Sequence, residues 1–272
     1  MKNRFAILVF MSLIIGSYSC DHSKYAVTNK SYKKQVDAFA KLLKEYPMKD
    51  SAGLPYAADW VGTTNLSMRR PNYVIIHHTA QNSCEETLKT FTLPRTQVSA
   101  HYVICKDGTV HHMLNDLLRA HQAGVSKWGN TTDLNSSSIG IELDNNGFES
   151  FTEPQIQSLL ILLDRLKKAY SIPTANFIGH GDIAPTRKND PNWRFPWKMF
   201  SEKGFGYWYD DPSKVELPVG FNYLQALRIV GYDIKDTNAA IVGFKRHWLQ
   251  DTTRGLNTEQ LKILYQLSKK YQ

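Results

Sequence analysis

Several features that define common protein classes are absent from this sequence or scarce in it. No apolar run reaches the roughly 20 residues that a membrane-spanning helix needs, so no transmembrane segment is expected. Lysine and arginine form no dense block, and no aromatic ladder is interleaved with them, which argues against a nucleic-acid partner. Internal repeats and low-complexity tracts are missing as well. The 272 residues, 42% of them hydrophobic, are enough for one substantial domain and a small second one.

Cysteine is also scarce. The first of the three cysteines comes directly after an N-terminal segment that is laid out like an export signal. Lys2 and Arg4 form a basic start, an apolar run follows over 5–15, and small polar residues lead to Cys20. We expect 1–19 to be a signal peptide and Cys20 to be acylated, because the site resembles the lipobox of bacterial lipoproteins. An ordinary cleavage site that happens to precede a cysteine is the alternative. In either case we expect the protein to leave the cytoplasm, with any membrane attachment coming from lipid.

Loss of the signal lowers the formal net charge from +8 to +6, because Lys2 and Arg4 are removed. A moderately basic surface suits anionic polymers, and a cell-wall polymer fits an exported protein better than nucleic acid does. The two remaining cysteines, Cys84 and Cys105, could pair in an oxidising compartment. Their separation in the sequence does not establish their geometry, so the pairing stays open at this point.

Strands alternate with helices through the middle of the chain. The pattern predicts an apolar strand over 73–79, a hairpin that turns at Lys-Asp-Gly over 100–113, and two further strands at 138–143 and from 177. The clearest helix is predicted over 153–170. This alternation indicates an α/β fold with a mixed central β-sheet and helices on its faces.

Different patterns precede and follow this central part, which is predicted to form the catalytic domain over 70–200. Residues 20–69 are expected to hold a polar tether, a helix capped by Ser31 and an irregular lead-in. A Gly- and Asp-rich stretch over 201–216 is typical of a linker. Three helical patterns follow within 217–272 and predict a small three-helix module.

A few titratable side chains occupy positions that suit a metal site with a base. They are His77 and His78 at the end of a buried strand, His180 and Asp190 in a long loop, and Glu142 inside an apolar strand. Nitrogen and oxygen ligands with a fourth position open to water are typical of catalytic zinc. A single histidine is more often a core residue, and a loop aspartate more often caps a turn. Glu142 is harder to explain in that way, because an unpaired carboxylate in an apolar strand is costly and requires a partner or a function.

The stretch GHGDIAPTRKNDPNWRFPW at 179–197 closely resembles the zinc amidases of the N-acetylmuramoyl-L-alanine amidase type 2 family, especially their lipid-anchored bacterial members. That family also includes the animal peptidoglycan recognition proteins. The resemblance continues in the family's order through VIIHHTA at 74–80, SAHYVICKDG at 99–108 and NSSSIGIEL at 135–143. It therefore covers the whole region 70–200. The long loop motif is highly specific, whereas HHT or SIGIE alone is a weak signal.

The resemblance implies chemical roles for individual residues. It makes His77, His180 and Asp190 the ligands of one zinc ion, which lowers the pKa of a bound water to about 7. Glu142 matches the family's catalytic acidic residue, whose carboxylate accepts a proton from that water and passes it to the leaving amine. Lys188 matches the residue that faces the oxyanion.

Substrate contacts and one departure from the family pattern complete the expected site. Asn135 and Arg187 are expected to contact the substrate. Asp182 is a rival zinc ligand because it lies two residues from a ligand histidine, although the family pattern gives it a supporting role. Many relatives have an aromatic residue and a histidine before Ala-Gly, whereas this chain has His121 and Gln122 there. This departure leaves open the contact that the relatives' histidine makes to sugar or peptide.

The implied reaction is hydrolysis of the amide bond between N-acetylmuramic acid and L-alanine in peptidoglycan or its fragments, the muropeptides. One alternative is a non-catalytic peptidoglycan-recognition protein, but such relatives typically lack a zinc ligand. Another is a zinc peptidase acting on the stem peptide, whose usual His-Glu-x-x-His helix is missing from this sequence. The module over 217–272 resembles a helical peptidoglycan-binding domain; its alternative role is to stabilise the catalytic domain. We expect a monomer, lipid-anchored in the cell envelope at the outer membrane or on the periplasmic side.

Overall fold

The computed structural model describes residues 24–44 and 61–272. These residues belong to two compact units that divide after Thr64, and each unit is described by itself. The signal peptide predicted over 1–19 and the predicted acylation site Cys20 lie outside the described residues and stay predictions. In the described part of the chain, no helix combines the length and the apolar character that crossing a membrane requires.

The first unit contributes one described helix, α1 (Ala26–Lys44). The prediction that Ser31 caps this helix is wrong, because the helix already begins at Ala26 and Ser31 lies inside it. The segment 26–30 is polar enough to suggest a tether, but it contains neither glycine nor proline. Nothing in it therefore prevents the helix from extending toward the N-terminus.

A five-stranded mixed sheet forms the centre of the second unit, with the strand order β3-β2-β4-β1-β5. Its strands are β1 (Tyr73–His78), β2 (Tyr102–Ile104), β3 (Val110–His112), β4 (Ser138–Leu143) and β5 (Phe177–Gly179). Strand β1 runs parallel to both β4 and β5, β2 runs parallel to β4, and β2 and β3 form the antiparallel hairpin. The predicted mixed sheet is thereby confirmed.

Helices cover the sheet on both faces. In chain order they are α2 (Cys84–Thr92), α3 (Leu134–Ser137), α4 (Glu153–Tyr170), α5 (His180–Ile183), α6 (Trp197–Glu202), α7 (Tyr223–Val230), α8 (Thr237–Leu249) and α9 (Thr258–Lys270). Strand alternation separates two cores: Ile76 and Ile141 pack with α4 on one face, whereas Ile75 and Ile178 pack with α7, α8 and α9 on the other. The C-terminal helices therefore belong to the same compact unit as the sheet.

The interpretation of 201–216 as a linker is wrong. Phe205 is buried in the core beneath α4, and Trp208 packs against both cores. The segment is rich in glycine and aspartate, but its run of aromatic residues provides enough apolar area to fix it to the sheet and to α8. The domain boundary predicted at 217 stays a prediction, although the three helices that were expected beyond it are present.

The two cysteines of this unit form a disulfide. Cys84 is the first residue of α2 and Cys105 directly follows β2, and their Cα atoms are 5.3 Å apart. This bond fastens the start of α2 to the end of β2 and answers the question that the sequence leaves open.

Candidate active site

The register of the central strands brings a histidine and a carboxylate together. His77 in β1 lies directly opposite Glu142 in the parallel neighbour β4. Residues paired in this way point to the same face of a sheet, here the face covered by α7, α8 and α9. His78 points to the opposite face. The alternation along β1 therefore selects the first histidine of the pair for the site.

The segment after β5 adds two further side chains. Strand β5 lies next to β1 and ends at Gly179, so that α5 places His180 beside His77, with ring centroids 4.5 Å apart. The chain then returns, and the Gly181 N–H donates to the Asp190 carbonyl oxygen at 2.6 Å. Asp190 Oδ2 lies 2.9 Å from His77 Nδ1 and 3.0 Å from His180 Nδ1.

These three side chains form a buried cluster that could hold a metal ion. His77, His180 and Asp190 are 1%, 3% and 6% exposed, and their potential ligand atoms all lie within 4.8 Å of one another. Two imidazole nitrogens and one carboxylate oxygen are a donor set that zinc accepts in catalytic sites, where a fourth position stays open. The structure thus brings together the three side chains that the family resemblance implies as ligands.

Hydrogen bonds on the far side of both rings fix which nitrogen is free. His77 Nε2 lies 2.6 Å from Gln122 Oε1, and His180 Nε2 lies 3.2 Å from the Ala123 carbonyl oxygen. Because both partners accept, each Nε2 carries the hydrogen and each Nδ1 directs a lone pair toward Asp190. Two lone pairs and a carboxylate oxygen repel one another unless a cation or a proton lies between them. The cluster therefore fits a cation.

Glu142 has the environment of a proton-transferring group. Its side chain is 13% exposed, and Oε1 lies 3.9 Å from His77 Nδ1. Burial raises the pKa of Glu142 to about 7. Among the described residues, no group donates a hydrogen bond to the buried Oε2 atom. An unpartnered carboxylate oxygen beside a cation cluster is suited to accept a proton from a bound water.

Lys188 is exposed, and its positive charge opposes the increase in the pKa of Glu142 that burial causes. Its ammonium group is therefore near enough to Glu142 to affect it electrostatically. This placement is compatible with the predicted stabilisation of an oxyanion.

Known proteins resemble this chain in sequence. The family model described as N-acetylmuramoyl-L-alanine amidase matches residues 67–193. The N-acetylmuramoyl-L-alanine amidase AmiD of Escherichia coli is 31% identical over 249 residues, which cover 79% of this chain and 89% of AmiD. The chain belongs to the N-acetylmuramoyl-L-alanine amidase family. The 1,6-anhydro-N-acetylmuramyl-L-alanine amidase AmpD of Escherichia coli is 38% identical over 104 residues, covering 38% of this chain and 57% of AmpD.

Solved structures of the family share the fold. The complex of Escherichia coli AmiD with the substrate anhydro-N-acetylmuramic acid-L-Ala-D-gamma-Glu-L-Lys has a TM-score of 0.68 and 28% identity, covering 77% of this chain and 93% of that one. AmpDh3 from Pseudomonas aeruginosa has a TM-score of 0.69 and 28% identity, covering 80% of this chain and 99% of that one. The predicted mixed α/β fold is thereby confirmed.

The two predicted substrate residues brace a loop beside the cluster. Asn135 Oδ1 accepts from the backbone N–H groups of Gln122 and Ala123, at 3.0 and 2.8 Å. The guanidinium of Arg187 donates to the carbonyl oxygens of Ala123 and Val125, both at 2.6 Å. These bonds hold the loop that supplies acceptors to both ligand rings, and the expected contacts with substrate stay predictions.

Gln122 has a role that the sequence did not reveal. Its side-chain NH₂ donates to Ser138 Oγ at 2.8 Å, and this bond orients the amide oxygen toward His77. A Cβ atom on Gly140 would lie 2.6 Å from Gln122 Cγ, so the glycine leaves the space that the glutamine needs. The only sequence signal was the departure from the family pattern at this position.

Asp182 is not a ligand in this arrangement. It is absent from the metal cluster, and its carboxylate accepts from Gly179 N–H, from Tyr232 OH and from the ring of His247, each at 2.7 Å. The structure thus favours the supporting role over the rival one. Tyr232 and His247 lie in the C-terminal segment, and no sequence pattern connects them with the site.

Proposed function

We propose that the amidase activity of this family is performed here by Glu142 beside one zinc ion held by His77, His180 and Asp190. The bond hydrolysed is the amide between N-acetylmuramic acid and L-alanine in peptidoglycan fragments. The observation that carries the proposal is the buried, unpartnered Oε2 of Glu142 beside three converging ligand atoms.

Each residue of the site has a defined task in this proposal. When bound, zinc polarises the amide carbonyl and lowers the pKa of a water molecule. Glu142 takes a proton from that water and delivers it to the leaving amine of L-alanine. A group that both accepts and donates a proton works best with a pKa near neutrality, and the pKa of Glu142 is about 7. The ammonium group of Lys188 stabilises the negative charge that develops on the carbonyl oxygen. Gln122 keeps the His77 ring in the tautomer that presents Nδ1.

The substrate class follows from the relatives with bound ligands. The AmiD complex contains an anhydromuramoyl tripeptide, and AmpDh3 has been solved with an anhydromuramic pentapeptide. Muropeptides of this kind are therefore the first substrates to offer. Names and structures of relatives support an amidase over the two alternatives, a recognition protein without activity and a peptidase acting on the stem peptide.

Purified peptidoglycan and anhydromuropeptides provide the test. The full chain is incubated with each substrate, with and without a chelator, and the products are identified by mass spectrometry. We expect free stem peptides that begin with L-alanine, their loss on chelation, and their return on addition of zinc. Binding without cleavage, or cleavage between amino acids of the stem, would contradict the proposal.

Two substitutions separate the proposed base from the proposed ligands. Glu142→Gln is expected to retain zinc and to lose activity, whereas Asp190→Ala is expected to lose both. Glu153→Gln, at the exposed start of α4, is the matched control and is expected to behave like the wild type. Wild-type activity of the first two variants would refute the assignment.

We also propose that the protein is exported and anchored in the cell envelope through a lipid on Cys20. The support is the order of basic, apolar and small residues over 1–19. Mass spectrometry of the N-terminal peptide of membrane-extracted protein should show an acylated cysteine, and Cys20→Ala should release the protein from the membrane fraction. An unmodified cysteine at a cleaved N-terminus would favour simple secretion.

A further inference from the structure

The carboxylate of Asp182 connects the ligand-bearing segment to the C-terminal helices. Asp182 is 3% exposed and lies two residues after His180 in α5. Its Oδ2 atom accepts from Gly179 N–H, directly before His180, and from His247 Nδ1. Its Oδ1 atom accepts from Tyr232 OH. Three donors thus converge on one buried carboxylate, and two of them come from the C-terminal segment.

The partners of Asp182 are themselves tightly held. The His247 ring lies between the indoles of Trp197 and Trp248, with ring centroids 3.9 Å away on either side and interplanar angles of 11° and 24°. The Tyr232 ring meets Trp128 edge-on, with centroids 5.0 Å apart. These ring contacts restrict rotation of both side chains, so the packing as well as the hydrogen bond orients each donor toward the carboxylate.

A second contact joins α8 to the same segment. Arg246 Nη1 makes long hydrogen bonds to the carbonyl oxygens of Gly181 and Lys188, at 3.5 and 3.4 Å. A Cβ atom on Gly181 would collide with this guanidinium. The backbone on either side of the proposed ligands therefore rests against α8.

We propose that Tyr232 and His247 are positioning residues for the metal site. Acting through Asp182, they hold the backbone at Gly179 and His180 so that His180 Nδ1 faces His77 and Asp190. The C-terminal helices are then a structural part of the active site. This inference rests on the proposed function, because it assigns the positioned cluster to zinc.

Three conservative variants of the full chain separate the hydrogen bonds from the packing. Tyr232→Phe removes only the hydroxyl. His247→Phe keeps a ring between the two indoles but removes the donor, whereas His247→Asn keeps a donor at the place of Nδ1 and removes the ring. Lys245→Met is the control: Lys245 lies on the same helix as His247, and its substitution breaks an ion pair with the partly exposed Asp251 beyond the helix end without contacting Asp182.

Zinc affinity, measured by competition with a chromophoric chelator, is the first readout. We expect Tyr232→Phe and His247→Phe to bind zinc about tenfold more weakly, as is usual for supporting residues of metal sites, and His247→Asn to recover most of the loss. In the amidase assay the same two variants should lower kcat and change KM less than twofold. Lys245→Met should match the wild type in both measurements.

Amide hydrogen exchange of residues 179–184 in the zinc-free protein is the second readout. Exchange should be faster in Tyr232→Phe and His247→Phe than in Lys245→Met. Wild-type zinc affinity and exchange in both variants would overturn the inference, and so would an equal effect in the control, because that would indicate a general loss of stability. A wild-type chain that neither binds zinc nor cleaves would refute the proposed function, while the exchange comparison would still decide whether the two residues position this segment.

Discussion

His101 makes the stability of the fold depend on pH in a calculable way. It lies between Ala100 and β2, is fully buried, and accepts a hydrogen bond from the Gly140 backbone N–H through Nδ1 at 3.1 Å. Nε2 therefore carries the hydrogen and donates to the Leu118 carbonyl oxygen at 3.0 Å. Adding a proton at Nδ1 would leave two N–H groups facing each other. Burial, together with the nearby charge of Arg69, lowers the pKa of His101 to about 4.

The size of the effect follows from proton linkage. In the unfolded chain the pKa of this histidine returns to about 6.5, so below that pH the unfolded state binds a proton that the folded state does not. The contribution of neutral His101 to the free energy of unfolding is therefore fully present above pH 6.5 and is lost as the pH falls toward 4. From these two pKa values, we expect His101 alone to lower the free energy of unfolding by about 2 kcal/mol between pH 8 and pH 5.

Urea unfolding at pH 8 and at pH 5 tests this value, with a chelator present so that metal release does not contribute. The His101→Asn variant retains an acceptor for Gly140 but does not titrate. We expect it to be less stable than the wild type at pH 8 and to lose about 2 kcal/mol less between the two pH values. An equal loss in the two proteins would refute the reasoning.

Three further predictions concern the site, the core and the disulfide. Gln122→Ala leaves a buried imidazole N–H without an acceptor and should weaken zinc binding at least about tenfold; an unchanged dissociation constant would contradict the tautomer assignment. Leu163→Ala in the core should lower the free energy of unfolding by about 2–5 kcal/mol, whereas Ile161→Ala on the exposed side of the same helix should change it by less than about 0.5 kcal/mol. Replacing Cys84 and Cys105 together by serine should cost about 3 kcal/mol in urea unfolding, given their separation of 21 residues, and a cost near zero would show that the closed loop does not restrict the unfolded chain.

The strands and the charged residue within them could be predicted from the sequence because both are local signals. A β-branched apolar run fixes β1 and β4, and a carboxylate inside such a run marks Glu142 as exceptional. The choice of His77 over His78 needed more. The family resemblance assigned the ligand role to His77. The physical reason is the register between β1 and β4, which the sequence pattern does not contain and which the structure shows.

The supporting residues could not be predicted because their partners are distant in the sequence. Gln122 is 45 residues from His77, and His247 is 65 residues from Asp182. No periodicity or cap connects residues so far apart. The start of α1 and the packing of 201–216 were missed for a different reason, since composition suggested a tether and a linker where helix continuation and aromatic anchoring prevailed.

Gly140 couples its own position to position 122 in the evolution of this site. It has no side chain, and a methyl group there would occupy the place of the Gln122 side chain. A side chain at 140 therefore requires the Gln122 side chain to move away or to be replaced by a smaller one, and either change removes the acceptor that orients His77. We expect homologues with a larger residue at 140 to orient the histidine that corresponds to His77 by some other group.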